Sequence, residues 1–232
     1  MERVKYIDLG MADYQQSWDL QGQLLREAIA QKQRINQEPD KELPRLHHLL
    51  FCEHMPVYTL GKSGSMDNLL LSEAELAEKE IAFYPINRGG DITFHGPGQV
   101  VGYPIFDLEG FYRDVHRYVR MIEEIVIQML KEYGLEGTRI DGYTGVWLKN
   151  PNRKICAIGV HMSRWVSMHG FALNVNTDMS YFNYIIPCGI SDSDKSLTSM
   201  EVELNRTLDL QEVKSHLKYY FKELFGFEYL GL

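Results

Sequence analysis

The chain has 232 residues, 44% hydrophobic and 24% charged, with a formal net charge of -8; this is ordinary globular composition, read as one domain spanning residues 1–232. No uninterrupted apolar stretch approaches the ~18 residues of a membrane span, and Met1-Glu2-Arg3-Val4-Lys5-Tyr6 carries no secretory signal pattern, so a cytoplasmic protein without a membrane partner is expected. The acidic balance disfavours nucleic acid as a partner, while Cys52, Cys156 and Cys188 are widely spaced and form no C-x-x-C pair, which fits a reducing compartment and points to no metal site.

Strand-like residues open the chain. Asp13 with Gln16 resembles an N-cap pair, and Trp18, Leu25, Ala28 and Ile29 repeat at helical spacing, predicting a first helix. The polar stretch Gln33 to Arg45, with Pro39 and Pro44, reads as a surface loop. Compact runs of β-formers follow at Leu46 to Glu53, Val57 to Leu60, Ile81 to Ile86 and Val100 to Leu108. Ser72 with Glu75 is a capping-box signature for a short helix. The longest helix is expected from Tyr112 to Tyr133, with Val115, Val119, Ile122, Val126, Met129 and Tyr133 on one face and Gly134 as its stop.

Gly145 to Lys149, Lys154 to Met162 and Gly170 to Val175 read as three more strands, the first two joined across Asn150-Pro151-Asn152. A final helix carries an Asp209/Glu212 cap, a Val213, Leu217, Phe221 and Leu224 stripe and a Gly226 stop. Strands clustered between helices, with connections too short for parallel crossovers, indicate α+β with a largely antiparallel or mixed sheet and flanking helices.

Three segments carry chemistry. Arg88-Gly89-Gly90-Asp91-Ile92-Thr93-Phe94-His95-Gly96-Pro97-Gly98-Gln99 packs four glycines around a short polar run; either the backbone is held close to a ligand or this is a glycine-rich hairpin turn. It is neither a Walker A sequence nor a G-x-G-x-x-G fingerprint, so no nucleotide is indicated. Cys188 stands between Pro187 and Gly189 among loop residues, a setting that presents a thiol at a loop tip, although an isolated cysteine is more often a small buried hydrophobe. Cys52 and Cys156 sit in apolar strand-like runs and are read as core. Lys154 opens a strand just after a turn, where its amine reaches a neighbouring site or simply meets solvent.

Together these segments resemble the lipoate-protein octanoyltransferases. The resemblance is carried by Arg88-Gly89-Gly90-x-x-Thr93-x-His95-Gly96-Pro97-Gly98-Gln99, by Glu53-His54-x-Pro56-Val57-Tyr58-Thr59-x-Gly61 and by Thr144-Gly145-Val146-Trp147. Lys154-Ile155-x-Ala157-Ile158-Gly159, His169-Gly170-Phe171-Ala172-Leu173-Asn174-Val175 and Pro187-Cys188-Gly189 follow in the family's order. The polar stretch near Glu38 and the segment after Gly189 depart from it.

The resemblance implies a fold related to the biotin and lipoate protein ligases and a catalytic Cys/Lys dyad at Cys188 and Lys154. It also implies an acyl pocket formed by Arg88, Gly89, Gly90, Asp91, Ile92, Thr93, Phe94 and His95, by Ala157, Ile158 and Gly159, and by Gly170, Phe171 and Ala172. The implied donor is octanoyl-acyl carrier protein. The implied acceptors are the apo lipoyl domains of 2-oxoacid dehydrogenase E2 subunits and the glycine cleavage H protein, with no cofactor.

His95 and His169 are open between orienting the dyad or oxyanion and a structural role. Arg113, Arg117 and Arg120 form either a docking patch for an acidic carrier or an ordinary solvated face. Three other readings compete: an ATP-dependent lipoate ligase, a Cys/His hydrolase, and a non-catalytic acyl- or lipoyl-binding module.

Overall fold

The computed structural model describes residues 1–187 and 195–231; Cys188 lies outside the described residues. The chain runs β1 (Arg3–Ala12), α1 (Tyr14–Gln37), β2 (His48–His54), β3 (Val57–Leu60), α2 (Glu73–Glu78), β4 (Ala82–Pro85), β5 (Ile92–His95) and β6 (Gln99–Ile105). It continues with α3 (Val115–Lys131), β7 (Thr138–Ile140), β8 (Tyr143–Leu148), β9 (Asn152–Ser163), β10 (Val166–Asn174), β11 (Lys195–Leu197), α4 (Met200–Leu204), α5 (Leu210–Phe225) and β12 (Glu228–Tyr229).

Local chemistry sets the helix ends. Asp13 accepts from the Gln16 amide to start α1, and Ser72 and Glu75 form the full reciprocal box at α2. Asp114 caps α3, three residues later than the apolar pattern suggested. At α5, Asp209 accepts from Gln211 N, and Gly226 ends the helix at φ 69°. Residues 33–37 belong to α1 and not to a loop, because Gln33, Arg34 and Gln37 are strong helix formers; the helix ends just before Pro39.

The sheets are mixed. In the larger one the order is β12-β1-β2-β6-β10-β9-β8-β7, with β11 added beside β9. The central ladders β2–β6, β6–β10, β10–β9 and β9–β8 are antiparallel, while β1–β2, β1–β12 and β11–β9 are parallel. A smaller sheet of order β4-β3-β5 stands over one side.

Strand alternation divides the core. Val100, Phe171 and Leu173 face α3 and α5, whereas Val101, Tyr103, Met168 and Ala172 face α1 through Leu24 and Ala28. The smaller sheet packs its own cluster of Tyr58, Ile92, Phe94, Phe182 and Ile185. No helix among the described residues is long and apolar enough to cross a membrane.

One buried carboxylate ties α3 to the strands. Glu123, fully buried, accepts from Arg120 at 2.8 Å, from Arg139 at 2.9 Å and from the backbone amide of Gly145 at 3.0 Å. Removing it takes the carboxylate from Arg120 and from the buried Gly145 amide and leaves Arg139 with only Glu124 and the Arg120 carbonyl. Glu123→Ala is expected to lower stability by about 3 kcal/mol in urea unfolding at neutral pH.

Candidate active site

Pairing across β9 and β10 sets Gly159 opposite Gly170 and Ala157 opposite Ala172. Four small residues share one face there and leave a trough where larger side chains would fill the space. A Cβ on Gly159 would stand 2.8 Å from the Gly89 carbonyl oxygen, and one on Gly170 2.1 Å from that of Gly102. Only glycine admits these approaches.

The trough is roofed by the loop between β4 and β5. Gly89 N donates to Val160 O at 3.0 Å, and Lys62 N to Arg88 O at 3.0 Å, which hang the loop between β9 and the end of β3. The enclosed cavity measures about 370 Å³, within the ~300–1,000 Å³ of small-molecule sites. Of the residues assigned to an acyl pocket, Arg88, Gly89, Gly90, Asp91, Ile92, Thr93, His95, Ala157, Ile158, Gly159, Gly170, Phe171 and Ala172 all line it. Phe94 does not. It turns into the smaller sheet's cluster and stacks on Tyr181 at 4.5 Å, because the next residue, His95, takes the cavity side.

The ends of the cavity differ. At one, Lys154 projects from the start of β9 with its amine 4.7 Å above the buried Trp147 ring, beside exposed Gly142 and Thr144. Pro187 and Leu197, on either side of the undescribed segment that holds Cys188, line this cavity too, and Leu197 pairs directly with Lys154. The other end is deeply buried and aromatic, closed by Tyr14, Val101 and Tyr103.

A directional chain of hydrogen bonds runs along one wall. Arg88 donates to Thr59 O at 2.6 Å and Thr59 Oγ1 at 3.0 Å, and the Thr59 hydroxyl faces His95 Nε2 at 3.4 Å. His95 Nδ1–H donates to Gln99 Oε1 at 2.8 Å, Gln99 Nε2 to Asn174 Oδ1 at 2.8 Å, and Asn174 Nδ2 to Thr198 O at 3.1 Å. Each acceptor in this chain needs a neutral imidazole with its proton on Nδ1. Burial, then the nearby His54 and Arg88, bring His95 down to about 3.

His169 is bonded at Nε2 to Asn87 Oδ1 at 2.8 Å, and its own amide donates to Gln21 Oε1 at 3.0 Å. Its φ of 59° is unusual for a side chain with a Cβ. Burial, followed by Arg88, lowers it to about 3 as well. Both histidines are thus neutral hydrogen-bonding posts.

The Gly89, Gly98 and Gln99 amides donate to Val160 O, a Glu53 carboxylate oxygen and Gly96 O. Arg113, Arg117 and Arg120, open between a docking patch and a solvated face, have partners within the chain: Glu109 at 2.6 Å, the Tyr112 ring and Glu123 respectively. Tyr14, Tyr103 and Gln99 were not assigned to the pocket from sequence. Alternation along β6 puts Val101 and Tyr103 on one face, a usable signal; nothing local marks Tyr14, which reaches the cavity from the first turn of α1. Among the described residues, no group of three or more His, Cys, Asp or Glu is placed to hold a metal.

A mixed sheet with flanking helices is also the fold of solved lipoate protein ligases. The Lipoyl protein ligase A/B catalytic domain family model matches residues 13–222. Lipoate-protein ligase A bound with ATP shares the fold at a TM-score of 0.70 and 15% identity, over 99% of this chain and 87% of that one. A bi-partite lipoate protein ligase from Thermoplasma acidophilum does so at 0.70 and 14%, over 99% and 86%. Octanoyltransferases from Cytophaga hutchinsonii and Christiangramia forsetii are 53% and 52% identical, over 94% and 98% of this chain and 91% and 97% of theirs. The chain belongs to the octanoyltransferase family, and it is an acyltransferase.

The neutral histidines give stability a pH dependence. Each holds its proton more weakly when folded, near pH 3, than when unfolded, near ~6.5. Between those values the unfolded state binds more protons, so stability falls as pH drops below about 6.5 and owes nothing to this pair above it. His169→Asn, which tolerates positive φ, is expected to flatten the acid side of a plot of urea midpoint against pH and leave the neutral side parallel to the parent.

Proposed function

We propose that the protein transfers an octanoyl group from octanoyl-acyl carrier protein to the target lysine of apo lipoyl domains, through a thioester on Cys188 assisted by Lys154. The observation that carries this reading is the cavity itself: an apolar trough in an octanoyltransferase-family chain, with Lys154 at its open end and Pro187, the residue before Cys188, on its wall together with Leu197 of β11.

A thiolate is the reactive form of cysteine, and an ordinary thiol is mostly protonated at neutral pH. Lys154 supplies positive charge that favours the thiolate. In the first step the Cys188 thiolate attacks the carrier thioester carbonyl, the carrier's C–S bond breaks, and the carrier sulfur leaves as a thiol with the proton of Lys154. In the second the acceptor lysine amine attacks the acyl-Cys188 carbonyl, the amine's proton passes to the now neutral Lys154, and Cys188 is released as a thiolate. Both bonds broken are thioesters, already activated, so the reaction needs no nucleotide.

The acceptors in this reading are the lipoyl domains of 2-oxoacid dehydrogenase E2 subunits and the glycine cleavage H protein, and the setting is the cytoplasm. The competing ligase reading would activate free acid with ATP before any transfer.

Intact-protein mass spectrometry after mixing with octanoyl-acyl carrier protein, without ATP, separates the two. The expected result is a hydroxylamine-labile octanoyl adduct on the parent, discharged by an apo lipoyl domain, absent in Cys188→Ser and at least about 100-fold slower to form in Lys154→Ala. Transfer that appears only with free octanoate and ATP would establish the ligase and remove the dyad.

A further inference from the structure

The blind end of the cavity is built to a fixed length. Tyr103 is buried on β6; its hydroxyl donates to His54 Nε2 at 2.8 Å, while His54 Nδ1–H donates to Ala12 O at 2.8 Å. Tyr14, from the first turn of α1, meets the His54 ring edge-on at 5.1 Å and stacks on His95 at 6.0 Å. Four rings from four different elements therefore pack against one another, and the Tyr103 hydroxyl is held by its hydrogen bond to His54.

Distance makes this wall meaningful. The trough crosses from β9, where Lys154 and Ala157 stand, over Ala172 on β10 to Val101 and Tyr103 on β6. Two interstrand intervals amount to roughly 10 Å. An extended eight-carbon acyl chain, with seven bonds of ~1.5 Å in zigzag, spans roughly 9 Å.

We propose that Tyr103 and Tyr14 are the chain-length stop of the acyl site, a rigid aromatic wall that sets the longest acyl group the enzyme accepts. The inference rests on reading the cavity as the acyl site, with the carbonyl at the Lys154 end. Longer chains are refused because their last methylenes would have to displace braced rings, whereas shorter ones are accepted with less buried apolar surface.

The test is kcat/KM for transfer from acyl carrier protein loaded with hexanoyl, octanoyl, decanoyl or dodecanoyl groups to an apo lipoyl domain. Tyr103→Ala and Tyr14→Ala are expected to raise the dodecanoyl-to-octanoyl ratio by about tenfold. Tyr103→Phe, which keeps the ring and loses only the hydroxyl, is expected to leave the ratio within about twofold of the parent. An unchanged ratio in an alanine variant that still transfers octanoate overturns the proposal. Should neither alanine variant fold, as judged by its thermal transition, Ala172→Val on the trough floor decides: a shift of preference from octanoyl toward hexanoyl supports the wall, and an unchanged preference overturns it. Should the parent transfer no octanoyl group, the transfer reading fails by itself. The stop is then read by calorimetry of free C6 to C14 fatty acids, where affinity that keeps rising through C14 overturns it.

Discussion

A Cβ at Gly61 would stand 2.2 Å from the Gly90 carbonyl oxygen, and one at Gly159 2.8 Å from that of Gly89. Those two contacts are the constraint on which the site depends. They let the Arg88 to Asp91 loop come down between the end of β3 and the middle of β9, with its backbone bonded to both. A Cβ at either position would push the roof away from the trough between Gly159/Gly170 and Ala157/Ala172 until the contact reached van der Waals distance. The glycines thus act through proximity, since neither Gly61 nor Gly159 has a positive φ.

With the roof in place, the histidines of the wall can be polar without being charged. The hydrogen bonds from Arg88 through Thr59, His95, Gln99 and Asn174 to Thr198 all run in one direction, and Thr198 N in turn donates to the Lys154 carbonyl at 3.0 Å. This single path crosses from the smaller sheet to the larger one and ends on the strand that carries Lys154. Protonating His95 would set two donors against Thr59 and reverse one link, which is why burial and the neighbouring His54 and Arg88 matter to the geometry as well as to titration. The backbone of Lys154 is thereby joined through hydrogen bonds to groups on the far side of the cavity.

Elements with local signals were legible in the sequence: the Ser72/Glu75 box, the Gly226 stop and the β3 run coincide with the structure because each is written within a few residues. Where long-range packing decides, the reading was weaker. Residues 33–37 continue α1 although their polarity suggested a loop, and the parallel β1–β12 pair joins the two chain ends without any local mark. The pocket followed the same division. Thirteen of its residues were named from motifs, yet Phe94 lies in those motifs and points away, while Tyr14 and Tyr103 lie outside the assigned set and close the cavity. A motif records which backbone must be near the ligand. Which side chain of that backbone faces it depends on strand alternation and on what packs behind.

The two ends of the cavity are made from different kinds of structure, and this separates their tolerances. Tyr103, Val101 and Ala172 stand on central strands paired on both sides, with α1 laid over them, so their positions are set by the sheet's ladders and by core packing. Lys154 sits where β9 leaves a turn, flanked by the short β11 and by the exposed Gly142 and Thr144. Dimensions are held at the buried end and access is provided at the other. An enzyme of the proposed reaction needs that asymmetry, because its acyl chain must be measured against something that does not yield, while the two protein partners that deliver and receive it must in turn reach the same carbonyl.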